Sequence, residues 1–302
     1  MEIRIGTRKS KLAMWQADYV KNILLKNNIQ AELYPIETKG DKILNKSIAK
    51  IGSKGVFTEE LEEKLTNGEI DIAVHSAKDL QSGLPENFEI IAFTIREEPG
   101  DVLISRKKLN PLDKNIKFKA GTSSVRRRAL LKHYFPHIEI TDMRGNLQTR
   151  IKKMDSGDCD CLVLAKAGVV RMGYEDMIEY EFDRSYFIPP VGQGCLAIES
   201  SAELDSGKKD ALRKALNHDP TERILRAERK FLNILEGGCS IPAFCHGTEK
   251  DGTIILNGGI VSPEGEKIVF KKEESNSPED AGTKLANYIL ENGGREILSQ
   301  LR

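Results

Sequence analysis

The chain has 302 residues, which is enough for two or three domains of roughly 100–200 residues each. Its 46 lysine and arginine residues balance its 46 aspartate and glutamate residues, which argues against a nucleic-acid-binding protein with the usual basic excess. Because no apolar run approaches the roughly 20 residues of a membrane span and the N-terminus has no signal-peptide core, we expect a cytoplasmic protein.

The five cysteines point away from two common structural roles. Their odd number in a chain that looks cytosolic argues against a disulfide framework. No Cys-X-X-Cys pair is followed by a matching second pair, and the histidines show no ligand spacing, so we expect no metal.

The first strand, residues 2–5, leads through Gly6-Thr7-Arg8-Lys9-Ser10 into a helix predicted from about Lys11 to Lys26. Ser10 can cap this helix, and Arg8 precedes its N-terminal backbone N–H groups, where the helix dipole favours anions. The same residues fit an ordinary capped helix with a solvated arginine, and this stretch alone favours that interpretation.

Residues 42–57 show little regular pattern. They include Lys50-Ile51-Gly52-Ser53-Lys54-Gly55, whose glycines among lysines suggest a mobile lid over an anionic ligand. A disordered surface loop fits equally well. A phosphate-binding P-loop does not fit, because the spacing of glycine and lysine is wrong.

The run from Ile70 to Leu80 predicts a buried strand that turns polar at its end. Its first half is apolar and rich in β-branched residues, and Lys78-Asp79 follows at once. Residues beyond the carboxyl end of a buried strand face the ligand crevice in open α/β sheets, so we expect Asp79 at such a crevice. A solvated turn pair is the alternative. His75 fits a structural histidine better than a proton shuttle.

A second series of alternating strands and helices runs from about residue 100 to residue 190. Gly121-Thr122-Ser123-Ser124 precedes a helix whose first turn holds three consecutive arginines, residues 126–128. Cations in a first turn oppose the helix dipole by roughly 0.3–1 kcal/mol each, so we expect these guanidinium groups to serve an anion.

Further arginines follow later strands of this series. Arginine binds planar carboxylates bidentately, so the inferred ligand carries several carboxylates. Any single arginine also fits a solvated face. The set comprises Arg126, Arg127, Arg128, Arg144, Arg150 and Arg171.

Two segments, 96–101 and 188–194, predict crossings between two lobes that enclose a cleft. The alternation of strands and helices predicts mostly parallel sheets with helices on their faces. The predicted domains are lobe 1 at 1–97 and 195–216, lobe 2 at 98–194, and a small α+β C-terminal domain at 217–302.

Cys239 follows Gly237-Gly238, which ends a helix that begins at Asp219-Pro220. A lone cysteine is most often a small buried hydrophobe. The adjacent glycines permit close approach of a ligand, so the position also favours covalent attachment.

Six motifs stand out when the chain is considered as a whole. They are Ile5-Gly-Thr-Arg-Lys-Ser10, Ala73-Val-His-Ser-Ala-Lys-Asp79, Gly121-Thr-Ser-Ser-Val-Arg-Arg127, Arg144-Gly-Asn, Val191-Gly-Gln-Gly194 and Glu236-Gly-Gly-Cys239. In order and spacing they resemble the hydroxymethylbilane synthase family, also called porphobilinogen deaminases. The resemblance runs from residue 2 to at least residue 245 and is loose beyond it.

The resemblance implies a transferase that joins four porphobilinogen units into a linear tetrapyrrole, with release of ammonia at each step. It implies a dipyrromethane cofactor attached to Cys239 by a thioether and a catalytic Asp79. It further implies lobes like those of periplasmic binding proteins, a cytoplasmic monomer, and porphobilinogen and polypyrrole intermediates as partners, with no nucleic acid or membrane.

The resemblance also assigns binding groups by position. Cofactor binding is assigned to Lys78, Ser123, Ser124, Arg126, Arg127, Arg144 and Gly145. Substrate binding is assigned to Arg8, Ser10, Arg144, Arg150, Arg171 and Gln193, and a flexible loop to Lys50, Lys54 and Phe57.

Two other classes of function compete with this one. A two-lobed anion-binding protein without chemistry shares the fold and the arginines but does not need Cys239. A nucleic-acid-binding module would place Arg126–Arg128 on phosphates and would show a steep dependence of affinity on salt.

Overall fold

The computed structural model describes residues 1–38, 58–237 and 241–301. The chain divides into two compact units. Unit 1 comprises Met1–Glu97 and Cys195–Arg223, and unit 2 comprises Glu98–Gly194 and Ile224–Arg302. The three-domain boundaries remain a prediction.

The described residues form the following strands and helices. In chain order, the strands are β1 Glu2–Arg8, β2 Gln30–Ile36, β3 Ile72–Ser76, β4 Phe88–Phe93, β5 Asp101–Ser105, β6 Lys119–Gly121, β7 Glu139–Thr141, β8 Cys161–Ala165, β9 Ile178–Glu181, β10 Leu196–Ser201, β11 Ala243–Lys250, β12 Thr253–Val261 and β13 Ile268–Ser275. The α-helices are α1 Lys11–Lys26, α2 Glu59–Thr66, α3 Val125–Tyr134, α4 Leu147–Asp155, α5 Lys166–Arg171, α6 Ser206–Leu216, α7 Asp219–Ile234, α8 Pro278–Ile289 and α9 Arg295–Ser299.

Each unit contains a five-stranded sheet, and the two sheets have the same design. Their strand orders are β2-β1-β3-β10-β4 in unit 1 and β7-β6-β8-β5-β9 in unit 2. The first three strands of each order are parallel, and the fourth is antiparallel to both of its neighbours. Four strands therefore run in one direction and one is reversed, which confirms the prediction of mostly parallel sheets.

The reversed strands are the ones that begin where the chain passes from one unit to the other. β5 starts at Asp101, just after the chain enters unit 2, and β10 starts at Leu196, just after it returns to unit 1. Both strands are buried almost throughout, as expected for strands in the interior of a sheet.

The core of unit 1 follows from the apolar spacing of its elements. Ala17, Val20 and Leu24 form the buried face of α1, and they pack with Ile3 and Ile5 of β1. Complete burial of such an aliphatic side chain stabilises the fold by roughly 1.5–3 kcal/mol. A charged residue at Ile5, which is fully buried, is therefore expected to unfold this unit.

The C-terminal part of unit 2 has its own small sheet, as predicted for an α+β region. Its order is β11-β12-β13, all antiparallel, and α8 lies against β12 and β13.

Three elements have no counterpart among the elements predicted from sequence: β9, α6 and β11. Of these, β9 is a short, half-buried edge strand of alternating Ile178-Glu179-Tyr180-Glu181. No helix in the described ranges is long and apolar enough to cross a membrane.

Candidate active site

Asp79 lies at the surface of unit 1, directly beyond β3. It ends a 3₁₀ turn, Ala77–Asp79, that starts where the strand stops. The Ala77 backbone N–H donates to the carbonyl of Cys195, 3.0 Å away, which holds the turn against β10. Ala77 and Leu80 are buried, Lys78 is half-buried and Asp79 is exposed. The fold thus presents one carboxylate to solvent on a firmly held turn.

The turn between β1 and α1 lies at the same edge of this sheet. β1 and β3 are adjacent and parallel, so the residues beyond their carboxyl ends lie on the same side. Ser10 caps α1 by accepting a hydrogen bond from the Ala13 backbone N–H at 3.3 Å. Arg8 and Ser10 are half-buried. The unit therefore brings Arg8 and Ser10 to the sheet edge that carries Lys78 and Asp79.

His75 is occupied within the same sheet. Its Nε2 lies 2.8 Å from Glu199 Oε2 on β10, and both side chains are buried. Burial raises the pKa of nearby Glu62, and the Glu199 charge adds to this rise. A histidine paired in this way fits the structural interpretation better than the proton shuttle.

In unit 2, the turn that precedes α3 is a compact, capped helix start. Ser124 caps α3 by accepting from the Arg127 backbone N–H at 3.4 Å, and Thr122 Oγ1 accepts from the Ser124 N–H at 3.3 Å. A Cβ atom at Gly121, the last residue of β6, would lie 2.9 Å from the Cys159 sulfur, so a side chain there would displace its neighbours. Ser123 and Ser124 are half-buried.

Arg126 and Arg127 point inward, onto the buried carboxylate of Asp101. Arg126 Nη2 donates to Asp101 Oδ2 at 2.6 Å, and Arg127 donates to Oδ1 from Nε at 3.0 Å and from Nη2 at 2.7 Å. Each arginine also donates to a backbone carbonyl, Arg126 to Ile188 and Arg127 to Val163. Arg126 is 3% exposed and Arg127 is 6% exposed.

Gln193 completes this cluster from the segment where the chain leaves unit 2. Its amide nitrogen donates to the carbonyl of Pro99 at 2.6 Å and to Asp101 Oδ1 at 3.0 Å. Its amide oxygen accepts from Arg127 Nη2 at 3.3 Å, and the residue is fully buried. Burial alone would raise the pKa of Asp101, but the charges of Arg126 and Arg127 and the Gln193 hydrogen bond outweigh it and lower that pKa to about 2.

The buried Asp101 carboxylate changes one expectation drawn from the sequence. The unfavourable position of arginines in a first helical turn predicted an external anion, whereas the structure pairs Arg126 and Arg127 with Asp101. The binding roles of these arginines and of Gln193 therefore stay predictions. Asp101 itself was missed, because nothing in a Pro-Gly-Asp sequence identifies which distant cations will fold against it.

The same cluster nevertheless fits a further carboxylate. Two guanidinium groups face one carboxylate, so one positive charge is left over in a buried place. Arg126 Nε is buried and has no hydrogen-bond partner among the described residues. A buried donor without a partner is unfavourable, and a ligand carboxylate beside the Ser123-Ser124 turn would correct both the charge and the donor.

Two more turns of unit 2 share this sheet edge. β7, β6 and β8 are adjacent and parallel, so their carboxyl ends place the turns before α4 and α3 and helix α5 on one side. Arg150 Nε donates to the Gly145 carbonyl at 2.7 Å, and Arg144 Nε donates to Asp142 at 2.7 Å. Gly145 has φ of +117°, a conformation that favours glycine.

Arg171 ends α5 and is tied to the segment that leaves unit 2. Its Nη2 donates to the Gly194 carbonyl at 3.2 Å. Arg144, Arg150 and Arg171 are all half-buried, in contrast to the fully enclosed pair on Asp101. At one sheet edge, unit 2 thus has a buried pair of arginines on Asp101 and three half-buried arginines.

Four predicted residues cannot be placed. Cys239, Lys50, Lys54 and Phe57 lie outside the described residues. Within the described part of the chain, no cluster of three or more His, Cys, Asp or Glu side chains is arranged to hold a metal ion.

Two family models match nearly the whole chain. Residues 3–209 match the model described as "Porphobilinogen deaminase, dipyromethane cofactor binding domain", and residues 223–291 match "Porphobilinogen deaminase, C-terminal domain". The chain belongs to the porphobilinogen deaminase family. This confirms the family, the enzyme class and the dipyrromethane cofactor that the motifs implied.

Named porphobilinogen deaminases are similar over their full length. One from Desulfosudis oleivorans is 53% identical over 305 residues, covering 100% of this chain and 98% of that protein. One from Cytophaga hutchinsonii is 49% identical over 302 residues, covering 99% and 97%.

The similarity to solved structures is weaker. A methionine-binding protein, MetQ, is 12% identical with a TM-score of 0.45, covering 71% of this chain and 89% of that chain. A double mutant of the BvgS VFT2 domain from Bordetella pertussis is 14% identical with a TM-score of 0.44, covering 71% and 86%.

Proposed function

We propose that this porphobilinogen deaminase family member acts as a hydroxymethylbilane synthase in tetrapyrrole biosynthesis. It joins four porphobilinogen units in sequence and releases the linear tetrapyrrole. The observation that carries this proposal is the match of both family models along the chain, which spans an exposed acid in unit 1 and a cation-rich sheet edge in unit 2. The working form is a cytoplasmic monomer.

Dipyrromethane, when bound through a thioether to Cys239, supplies the primer to which the incoming units are added. The buried positive charge at Arg126 and Arg127 and the unpaired Arg126 Nε suit its acetate and propionate carboxylates. Ser123 and Ser124 add donors at the turn before α3, and Lys78 adds one at the turn beyond β3 of unit 1. The half-buried Arg144, Arg150 and Arg171, with Arg8 and Ser10 of unit 1, bind carboxylates of the incoming porphobilinogen.

Asp79 performs the proton chemistry. It donates a proton to the aminomethyl group of porphobilinogen, so that the carbon–nitrogen bond breaks and ammonia leaves. Its carboxylate then stabilises the cation that remains on the substrate, and it takes up the proton that is lost when the new carbon–carbon bond forms. One carboxylate thus returns to its starting state in each cycle, as general acid–base and electrostatic catalysis require.

Mass spectrometry of the purified chain tests this proposal. We expect an addition of two pyrrole units that maps to Cys239, because Cys159, Cys161, Cys195 and Cys245 are all buried. Incubation with porphobilinogen should yield a tetrapyrrole. An unmodified chain that converts no porphobilinogen but binds it would instead identify a binding protein without chemistry.

The dependence of nucleic-acid affinity on salt tests the remaining class of function, a nucleic-acid-binding module. A nucleic-acid-binding module would bind DNA or RNA with an affinity that falls steeply as salt rises. We expect no such binding, because 46 aspartate and glutamate residues balance the 46 lysine and arginine residues and leave no basic excess.

A further inference from the structure

A continuous path of buried hydrogen bonds in unit 2 starts at Glu228 on α7. Glu228 is fully buried, and its two oxygens accept from different backbone N–H groups. Oε2 accepts from Gly192 at 2.9 Å, and Oε1 accepts from Gly247 on β11 at 2.7 Å. A single carboxylate therefore joins the helix, the C-terminal sheet and the segment that precedes Gln193.

The path continues through Gln193 to the first turn of α3. Gln193 directly follows Gly192 and donates to Asp101, and Asp101 accepts from both Arg126 and Arg127. Every link lies within unit 2, and the acids at its two ends, Glu228 and Asp101, are at most 1% exposed. Buried polar groups that are hydrogen-bonded to one another in this way fix geometry more than they add net stability.

One end of this path lies on α7, the helix that precedes the attachment cysteine in the sequence. α7 ends at Ile234, and Cys239 follows five residues later in the sequence. At the other end lies the turn that carries Ser124 and the two arginines. A ligand attached covalently at one place and held by its carboxylates at another requires a fixed distance between them.

We propose that Asp101 and Glu228 are positioning residues, which hold the carboxylate-binding turn of α3 in register with the helix that leads to the attachment cysteine. This inference rests on the proposed function. The competing explanation is that both acids merely stabilise unit 2. The two explanations differ in whether cofactor retention and KM change in a protein that remains folded.

The test compares Asp101→Asn and Glu228→Gln with Asp71→Asn. Asp71 is a matched control because it too is a buried acid between two cations, accepting from Arg4 at 3.0 Å and from Lys208 at 2.8 Å, but in unit 1. Three quantities are measured for each variant: the fraction of chains that carry the two-pyrrole adduct, the KM for porphobilinogen, and the thermal midpoint.

For Asp101→Asn and Glu228→Gln, we expect a lower adduct fraction and a KM raised by roughly tenfold or more. The reason is that a displaced turn binds ligand carboxylates less well, and misplacement of a group by about 1 Å can cost about 100-fold. Asp71→Asn should have a lower thermal midpoint but the adduct fraction and KM of the wild type. A lower midpoint with wild-type KM and adduct fraction in both Asp101→Asn and Glu228→Gln would overturn the inference.

The design keeps this inference separate from the proposed function. If the wild type carries no adduct and does not turn over porphobilinogen, the proposed function is refuted. If the wild type does both, and the variants have its adduct fraction and KM, only the positioning role is refuted. If one amide variant does not fold, the other decides. If neither folds, Glu228→Asp, which keeps the charge but shortens the side chain by one methylene, decides by the same KM and adduct readouts.

Discussion

The two five-stranded sheets share one strand order but carry different chemistry beyond equivalent strands. The third strand of unit 1 in this order, β3, leads into Lys78-Asp79. Its counterpart in unit 2, β8, leads directly into α5, which starts at Lys166 and ends at Arg171. The sheet determines where functional groups lie, and the residues just beyond each strand determine whether that place offers an acid or cations.

The two units also differ in the surroundings of a buried aspartate. Asp71 and Asp101 each accept bonds from two cationic side chains. The side chains of the cations on Asp71 remain 35% and 33% exposed, whereas the side chains of those on Asp101 are 3% and 7% exposed. Water screens the extra positive charge in unit 1, whereas in unit 2 that charge is enclosed and much less screened.

The largest effect is expected from removal of Asp79, the acid beyond β3, since the equivalent strand β8 in unit 2 leads into α5 instead. Asp79→Asn should lower kcat by roughly 1,000-fold, because one group provides both general acid–base and electrostatic catalysis. Its thermal midpoint should stay unchanged, since Asp79 is exposed. Steady-state kinetics with porphobilinogen and a thermal melt measure the two quantities.

Asp18→Asn provides the control for this change. Asp18 is an exposed acid of α1 in the same unit, so the substitution makes the same change in charge away from the sheet edge. It should leave kcat at the wild-type value. Near-normal turnover by Asp79→Asn would remove Asp79 from the proton chemistry and leave unit 1 without a catalytic acid.

The next largest effect is on stability, when one cation is removed from Asp101 or from Asp71. Arg127→Leu should destabilise the protein by roughly 3–5 kcal/mol, because it breaks a buried pair and leaves Asp101 with less compensation. Arg4→Leu should cost about 1 kcal/mol or less, because Arg4 is one-third exposed and Lys208 still faces Asp71. Urea unfolding at neutral pH measures both values.

Equal losses from Arg127→Leu and Arg4→Leu would contradict the difference in burial between the two clusters. A leucine at Arg127 is thus expected to lower stability as well as ligand binding, because Arg127 is paired with the enclosed Asp101.

Local signals in the sequence predicted the positions of several site residues. Ser10 and Ser124 come directly before predicted helices, and both cap the helices that follow. The polar end of an apolar run located Asp79 beyond β3. Each of these features depends on residues within one turn or one strand of each other, so the pattern contains the physical cause.

The partners of the buried charges could not be predicted in this way. Asp101 lies 25 residues before Arg126 and 92 residues before Gln193, and Glu228 lies 36 residues after Gly192. Nothing in a single sequence tells which distant acid will neutralise a given arginine, because the pairing is set by the packing of the whole unit. An arginine that looks available for a ligand can therefore already have an internal partner.

Acid sensitivity tests the Asp101 cluster with a smaller effect. The folded-state pKa of Asp101 is lowered to about 2 from an ordinary value of 3.8. The ionised carboxylate therefore adds stability above pH 4, about 2 kcal/mol in all, which is lost as the pH falls from about 4 to about 2. Wild type should accordingly lose its advantage over Asp101→Asn by about 1 kcal/mol between pH 6 and pH 3.

Urea unfolding of both proteins at these two pH values measures the change. The lowered pKa of Asp71 affects both proteins equally and cancels in the comparison. A constant difference in stability between wild type and Asp101→Asn from pH 6 to pH 3 would mean that Asp101 does not titrate as a buried partner of the two arginines.

The smallest effect compares the two helix caps, which are equivalent in the two sheets. Ser10→Ala and Ser124→Ala each remove one acceptor for a backbone N–H, bonded at 3.3 and 3.4 Å, so each should cost about 1 kcal/mol. Their functional effects should differ, because Ser10 lies beside Arg8 and Ser124 lies beside the enclosed arginines. We expect Ser10→Ala to raise the KM for porphobilinogen and Ser124→Ala to lower the fraction of chains carrying cofactor. If the two variants lose equal stability and show the same functional change, the caps serve only their helices, and the division of labour between the two sheet edges must rest on the acid and the arginines alone.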